Sequence, residues 1–350
     1  MIPASVHPGP GDHELLDRLT RLIGSFRKPC IAVVGDLIAD EFIYGGIDRV
    51  SREAPVLILN YDSTEVTPGG AGNAAQNVAA LGGRARLVGL LGADEIGRRL
   101  ARSFSRQVVR AGLVKPAGYH TPTKTRILAG GVHSARQQVV RIDRAGPTVT
   151  RAMRDRVVEA AEAAVAGCDA VIVSDYGTGL VTPALVAAVK RRLPRRGRRP
   201  AAPILLDSRY ALLKYRGLTI AAPNESEVEH ALGVTVGDHL PTLERAGREL
   251  LRRTRMSGML VTRGSRGMAL FEPGRPTQHL PIYGSDEVAD VTGAGDTVIA
   301  TMAMALSIGA SAPEAALLAN YAGGLVVMKR GTATVTADEL QQAVVMDLEV

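Results

Sequence analysis

Short apolar strands alternating with Ala- and Leu-rich helices, two Val/Ile/Thr-rich excursions that break this rhythm, and 46% hydrophobic content over 350 residues predict an α/β chain. The expected architecture has three layers: a mainly parallel central sheet, helices on both of its faces, and a small β-strand lid. The chain opens with an amphipathic helix at 14–26, where Leu15, Leu16, Leu19, Leu22, Ile23 and Phe26 share one face. A buried strand at 30–35 follows, then strands near 86–91, 170–173, 204–206, 218–221 and 259–262. The excursions at 42–65 and 119–144 carry Gly-Gly pairs that read as turns (Gly45-Gly46 and Gly130-Gly131) and have no helix between their strands. They are expected to pair with each other as a lid. The expected organisation is a helical extension at 1–28, one α/β domain at 29–340 including the lid, and a tail at 341–350.

Composition narrows the function classes. No run of about 18 apolar residues occurs, and the first ten residues lack the charged-then-apolar order of a secretion signal. The chain is therefore expected in the cytoplasm and away from membranes. Cys30 and Cys168 are too few for a disulfide framework or a cysteine zinc site and read as small buried hydrophobes. The net charge of +7 and the basic cluster at 190–199 raise the question of nucleic acid, but aromatic content is only 3% and the cluster contains no stacking platform. It reads as a solvated loop. The remaining positive charge suits an anionic small molecule such as a sugar phosphate or nucleotide.

The strongest chemical signal is Gly293-Ala294-Gly295-Asp296 at the head of a helix running through Leu306. Unpaired amides and the positive end of the helix dipole favour a phosphate there, and glycines let it approach the backbone. Asp296 in the first turn is placed to take the proton of an attacking hydroxyl while the amides hold a transferring phosphoryl group. The competing reading is an ordinary helix start with Thr292 as N-cap. A second cluster, Gly69-Gly70-Ala71-Gly72-Asn73, opens a helix that stops at Gly82. Gly70, Gly72 and Ala75 also fit a dinucleotide fingerprint, with Asp94 as its ribose acid, but that motif should directly follow the first core strand, which ends at Gly35. No Gly-Lys dipeptide occurs, so a Walker A loop is excluded. A glycine wall with Asn73 donating to sugar hydroxyls is the preferred reading.

Taken together, 69–82 and 290–296 resemble the two signature regions of the ribokinase-like carbohydrate kinases, the family named after minor phosphofructokinase; the likeness runs from about Ile31 to Thr336. The resemblance implies a ribokinase-like three-layer sandwich and phosphoryl transfer from ATP with Mg²⁺, with a monovalent cation as a further option. Within the family, Gly35-Asp36 with Asp40, 51–55, Lys124 with Arg126, 174–177 (including Asp175) and Gly331-Thr332 resemble the kinases of D-glycero-D-manno-heptose 7-phosphate, which act on the anomeric oxygen. By the same resemblance, Asp40, assisted by Asp36, binds sugar hydroxyls beside Gly69, Gly70 and Asp175; the alternative for Asp36 and Asp40 is that they are turn residues at a strand end. Asn224 and Glu227 match an Asn-x-x-Glu motif whose Glu holds Mg²⁺ through water. The alternative there is a helix start capped by Ser226 and Glu229. Thr262, Gly264 and Gly267 match a nucleotide-phosphate loop, with a plain hairpin as alternative, and Asn320 joins the nucleotide site. Lys124, Arg126 and Arg141 could clamp the substrate's phosphate, or be solvated strand charges. Thr178 and Arg52 depart from the family pattern, which has Lys and Pro there, and so bear on which sugar is used. A homodimer through the lid is implied. Many such relatives are fused to a nucleotidyltransferase; no His-x-Gly-His occurs here, so that activity and the pathway's phosphatase are expected on separate polypeptides.

Overall fold

The computed structural model describes residues 10–130, 136–193, 201–284, 290–329 and 331–349. Among the described residues its large sheet holds nine strands, here numbered in chain order. From one edge they run β5 (Val108–Val114), β4 (Arg84–Leu90), β1 (Cys30–Gly35), β8 (Ala170–Asp175), β9 (Ile204–Ser208), β10 (Ile220–Ala221), β11 (Gly258–Thr262), β12 (Met268–Phe271) and β13 (Gln278–Leu280). β5 through β11 are parallel, while β12 and β13 close one edge as antiparallel strands.

Two apolar cores sandwich this sheet, and the pleat of β1 divides its residues between them. Ile31 and Val33 face one core; Ala32 and Val34 face the other. The first core is covered by α1 (Pro10–Gly24), α2 (Ala71–Ala80), α3 (Glu95–Ser103), α8 (Ala294–Ser307), α9 (Ala312–Val327) and α10 (Ala337–Leu348). The second is covered by α4 (Arg151–Val165), α5 (Pro183–Arg192), α6 (Glu225–Leu232) and α7 (Leu240–Thr254). The expected extension and tail are thus parts of the domain. Leu16, Leu19, Leu22, Ile23 and Phe26 sink into the first core, and the boundary drawn at 340 falls inside α10, whose Ala343 and Val344 are buried there. Among the described residues, no helix is long and apolar enough to cross a membrane.

The lid is a four-stranded sheet in the order β3 (Leu57–Gly70), β2 (Leu37–Val50), β6 (Thr123–Gly130), β7 (Gln137–Arg144). The two excursions do pair, through β2 and β6, which run parallel from Ala39↔Thr123 to Gly46↔Gly130. Both strands of the first excursion are longer than expected and run directly into the site at Leu37 and Gly70. Gly45-Gly46 is not a turn. It lies inside β2 where the register to β3 shifts, and a Cβ on Gly45 would press on the carbonyl of Asn60. The reversal lies instead at 51–56. The second Gly-Gly pair reaches Gly131, outside the described residues. So do 194–199 of the basic cluster, whose Lys190, Arg191 and Arg192 form the last turn of α5.

Candidate active site

The site lies at the C-terminal ends of the parallel strands, where loops and helix N-termini converge beneath the lid. At its centre is α8. Its N-cap is Gly293, in the left-handed region at φ 80°, with no side-chain cap; Thr292 therefore does not cap the helix. A side chain at Gly293 would collide with the Asn73 amide. Asp296 is buried in the first turn, where its Oδ2 accepts from Asn73 Nδ2 (2.8 Å) and its Oδ1 accepts from the Tyr176 hydroxyl (3.2 Å). Burial pushes its carboxyl well above the usual carboxylate range; nearby Asp207 adds to this, while the two donors oppose it. Of the amides expected to hold an anion, that of Ala294 donates to Val291 O (3.3 Å). Among the described residues, those of Gly295 and Asp296 donate to no protein acceptor. A Cβ on Gly295 would meet nothing within 4 Å, so protein packing does not require glycine there.

Asn73 corrects one expectation. Its amide donates to Asp296 and to Gly293 O (3.4 Å), and its oxygen accepts from Asn77 (3.1 Å). With both ends engaged it orients the acid rather than awaiting a sugar. Gly70 caps α2 at φ 56°, and a Cβ there would lie 2.6 Å from Asp36 O. The dinucleotide reading of this turn fails on the same geometry: Asp94 is consumed as the N-cap of α3, accepting from Gly97 N, Thr121 N and Thr121 Oγ1 (each 2.9 Å).

Under the lid, Asp40 lies against Gly69 and is ion-paired with Arg126 (2.5 Å). Asp36 accepts from Tyr176 N (2.8 Å), Thr178 N (3.3 Å) and Thr178 Oγ1 (2.5 Å). Burial nevertheless raises its carboxyl to about 6. Thr178, the departure from the family pattern, thus ties down Asp36. The expected cation clamp is only partly formed: Arg126 is spent on Asp40, and exposed Arg141 pairs with Asp143 (2.8 Å). Lys124 is half-buried, its ammonium 5.3 Å from the Tyr176 ring centroid, and burial together with Arg209 lowers its proton affinity. Asp175 stands apart. Its carboxylate is consumed by Gly177 N (3.1 Å), Ser208 Oγ (2.9 Å) and Tyr215 Oη (2.8 Å), which shape the turn after β8.

On the other side of Asp296 opens a cavity of about 510 Å³, within the size range of small-molecule sites. Its lining includes Thr262, Gly264, Gly267, Asn224, Glu227 and Asn320, which the sequence reading had assigned to a nucleotide. Thr262 to Gly267 is also a hairpin joining β11 to β12, so both readings of that segment describe it. Asn320 donates to Pro281 O (2.8 Å). The helix cap at α6 is Asn224 with Glu227, not Ser226 with Glu229, whose carboxylate instead accepts from Val236 N (2.7 Å). Glu227 Oε2 closes this capping box, leaving Oε1 3.8 Å from Arg209. Burial and then Asp207 raise Glu227 to about 7, and burial raises Asp207 itself to about 6. Both carboxylates line the cavity, and the charge of Asp207 disfavours that of Glu227; among the described residues no group of three or more His, Cys, Asp or Glu side chains gathers as a metal site.

Asp207, Arg209 and Tyr176 were absent from the predicted site residues. The signal for the first two is the end of an apolar strand: Asp207 lies near the C-terminal end of β9 and Arg209 directly follows it, as Tyr176 follows β8. Tyr176 links the parts: its hydroxyl reaches Asp296 and its ring lies 5.3 Å from both Lys124 and Arg209. Tyr176→Phe should shift the acid limb of kcat/KM to higher pH, because the lost donor favoured the ionised carboxylate. At pH 7 the rate should fall about 10-fold. A pH–rate profile identical to wild type would refute this.

The chain matches the model of the pfkB family carbohydrate kinases over residues 31–339. It is 40% identical over 328 residues to the bifunctional protein HldE of Caulobacter sp. (strain K31), covering 93% of this chain and 64% of that protein. The corresponding figures for the HldE of Proteus mirabilis (strain HI4320) are 38% over 320 residues, 91% and 64%. The chain thus spans less than two thirds of these relatives. Among solved structures, Arabidopsis thaliana ribokinase complexed with ribose and ATP superposes with a TM-score of 0.67 at 21% identity, covering 92% of this chain and 99% of that one. Escherichia coli phosphofructokinase-2 in complex with fructose-6-phosphate gives 0.72 at 16%, covering 91% and 98%. These two establish a shared fold. With the family model spanning most of its length, the chain belongs to the pfkB family of carbohydrate kinases.

Proposed function

We propose that this kinase transfers the γ-phosphoryl group of ATP to the anomeric hydroxyl of a sugar phosphate, with D-glycero-D-manno-heptose 7-phosphate the first-choice acceptor. The observation that carries the chemistry is the position of Asp296, at the seam between the glycine-edged cavity and the floor of the lid. In this reading the triphosphate occupies the cavity, and the sugar lies between Asp40 and Asp296. Asp296 takes the acceptor's proton while the Gly295 and Asp296 amides face the transferring group. Asp207 and Glu227 would hold Mg²⁺, which supplies neutralisation of the triphosphate charge when bound. Lys124 and Arg209, held over one tyrosine ring, are the cations nearest to release for a phosphate. Lid closure would keep water from the reacting phosphate. The choice of a heptose phosphate rests on the HldE relatives and on the motifs at 36–40, 124–126 and 331–332. Tethering of Asp36 by Thr178 favours keeping a second reading, another sugar or nucleoside kinase of this fold.

The test is ADP release against a panel of sugar phosphates, free sugars and nucleosides. Heptose 7-phosphate should raise turnover well above the ATP-only background; a free sugar or nucleoside doing so instead would transfer the assignment to the second reading. Exposed Leu57, Tyr61, Val139, Val140 and Ile142 on the lid sheet further support pairing of two copies through the lids. Sedimentation should then show a dimer that Tyr61→Asp with Ile142→Asp converts to monomer. A wild-type monomer at micromolar concentration would remove that proposal.

A further inference from the structure

Cys30 and Cys168 take no part in the site, yet the fold brings them together from 138 residues apart, with their sulfurs 3.5 Å from each other. Cys30 opens β1, and Cys168 closes the turn between α4 and β8, the strand that pairs directly with β1. The backbones are fastened beside the pair: Asp169 N donates to Cys30 O (2.7 Å) and Cys30 N donates to an Asp169 carboxylate oxygen (2.9 Å). Arg86 is held alongside by donating to Ala164 O (2.9 Å) and Ala166 O (2.7 Å). The two thiols are chemically unequal. Cys30 is partly exposed, with Arg84 and Arg86 near enough to favour its thiolate, and the hydrogen bond with Cys168 brings it down to about 7. Cys168 is fully buried, 3.2 Å from Ala164 O as well as beside Cys30, and is held protonated. One thiol is therefore reachable and ionisable, and the other touches only its partner and the surrounding protein.

We propose that Cys30 and Cys168 form a reversible disulfide site whose oxidants are low-molecular-weight disulfides, with Cys30 as the attacking thiol and Cys168 as the resolving thiol. The Cys30 thiolate displaces one thiolate from R–S–S–R, giving a mixed disulfide on Cys30. Cys168 then loses its proton and displaces the second thiolate from the Cys30 sulfur. The protein gives up two electrons and two protons, and the small disulfide takes both to become two thiols. The site lies at the N-terminal ends of β1 and β8, away from the C-terminal ends that carry Asp36, Tyr176 and Asp296. Oxidation should therefore leave turnover unchanged, which separates it from damage to the active site and from the assignment of the sugar.

The experiment treats the native full chain with glutathione disulfide, blocks remaining thiols at intervals, and maps the peptides by mass. The expected result is a transient glutathione adduct on Cys30, then a Cys30–Cys168 linked peptide, reversed by dithiothreitol. Cys168→Ser should stop at the adduct. If that variant does not fold, the wild-type time course decides alone. A lasting adduct on wild-type Cys30, two unreacted thiols in the native protein, or a cross-link formed only after denaturation would each overturn the proposal.

Discussion

Asp296→Asn should lower turnover by roughly three orders of magnitude while leaving the protein folded. The substitution is nearly isosteric. The new amide oxygen can still accept from Asn73, and its nitrogen can donate to the Tyr176 oxygen, so the 2.8 and 3.2 Å contacts have replacements. What is lost is a group able to take a proton. The pH dependence follows from the same burial. Because the folded carboxyl binds its proton more tightly than an ordinary aspartate, wild-type kcat/KM should fall with decreasing pH through a limb above the usual carboxylate range. Stability has the opposite sign. Between the unfolded and the raised folded value the folded state holds more protons, so this group's contribution worsens as pH rises through that window. The Asn variant escapes that penalty, and its Tm at pH 7 should equal or exceed that of wild type. A variant that turns over at the wild-type rate would remove Asp296 as base, whatever its stability.

Which parts of this site could be read from the sequence depends on how local the physics is. The glycine-headed helix at α8, the β1 strand and the alternation of strands and helices are written in short windows, because period and breaker residues act within a few positions. The pairing of the two excursions was also legible, since strands without intervening helices must find partners among themselves. Partner choice was not. Asn73 appeared free to meet a sugar until the fold placed it against Asp296, 223 positions away. Asp175 resembled a ligand until Ser208 and Tyr215 took its oxygens. Asp207, Arg209 and Tyr176 enter the site because adjacent parallel strands end side by side, a fact of sheet order rather than of any motif. The proximity of Cys30 and Cys168 was not legible for the same reason: composition counts thiols but cannot say that β1 and β8 are neighbours. A glycine pair is ambiguous as well. Gly45-Gly46 permits either a turn or a register shift within a strand, and only the pairing of β2 with β3 selects between them.

Two alanine substitutions two residues apart should separate folding from catalysis at the head of α8. Gly293→Ala imposes a side chain at φ 80° and drives its Cβ into Asn73, the residue that holds one oxygen of Asp296. The left-handed backbone alone costs about 1–2 kcal/mol. Relief of the collision must then come from Asn73 or from the start of the helix, and either movement displaces the base. A shift of about 1 Å in a reacting group is enough for a loss near 10²-fold, so both Tm and kcat should drop. Gly295→Ala differs in each respect. Its backbone is not in the left-handed region, its Cβ meets no protein atom, and alanine in a helix is favoured over glycine, so Tm should hold or rise slightly. Its methyl group nevertheless enters the cavity beside an amide that faces the transferring phosphoryl group, and turnover should fall about 10-fold or more. Thermal melts paired with ADP-release rates decide the matter. If Gly295→Ala keeps full activity, no anion approaches that amide during the reaction. If Gly293→Ala keeps both stability and activity, the contact between Asn73 and the helix head does not hold the base in place.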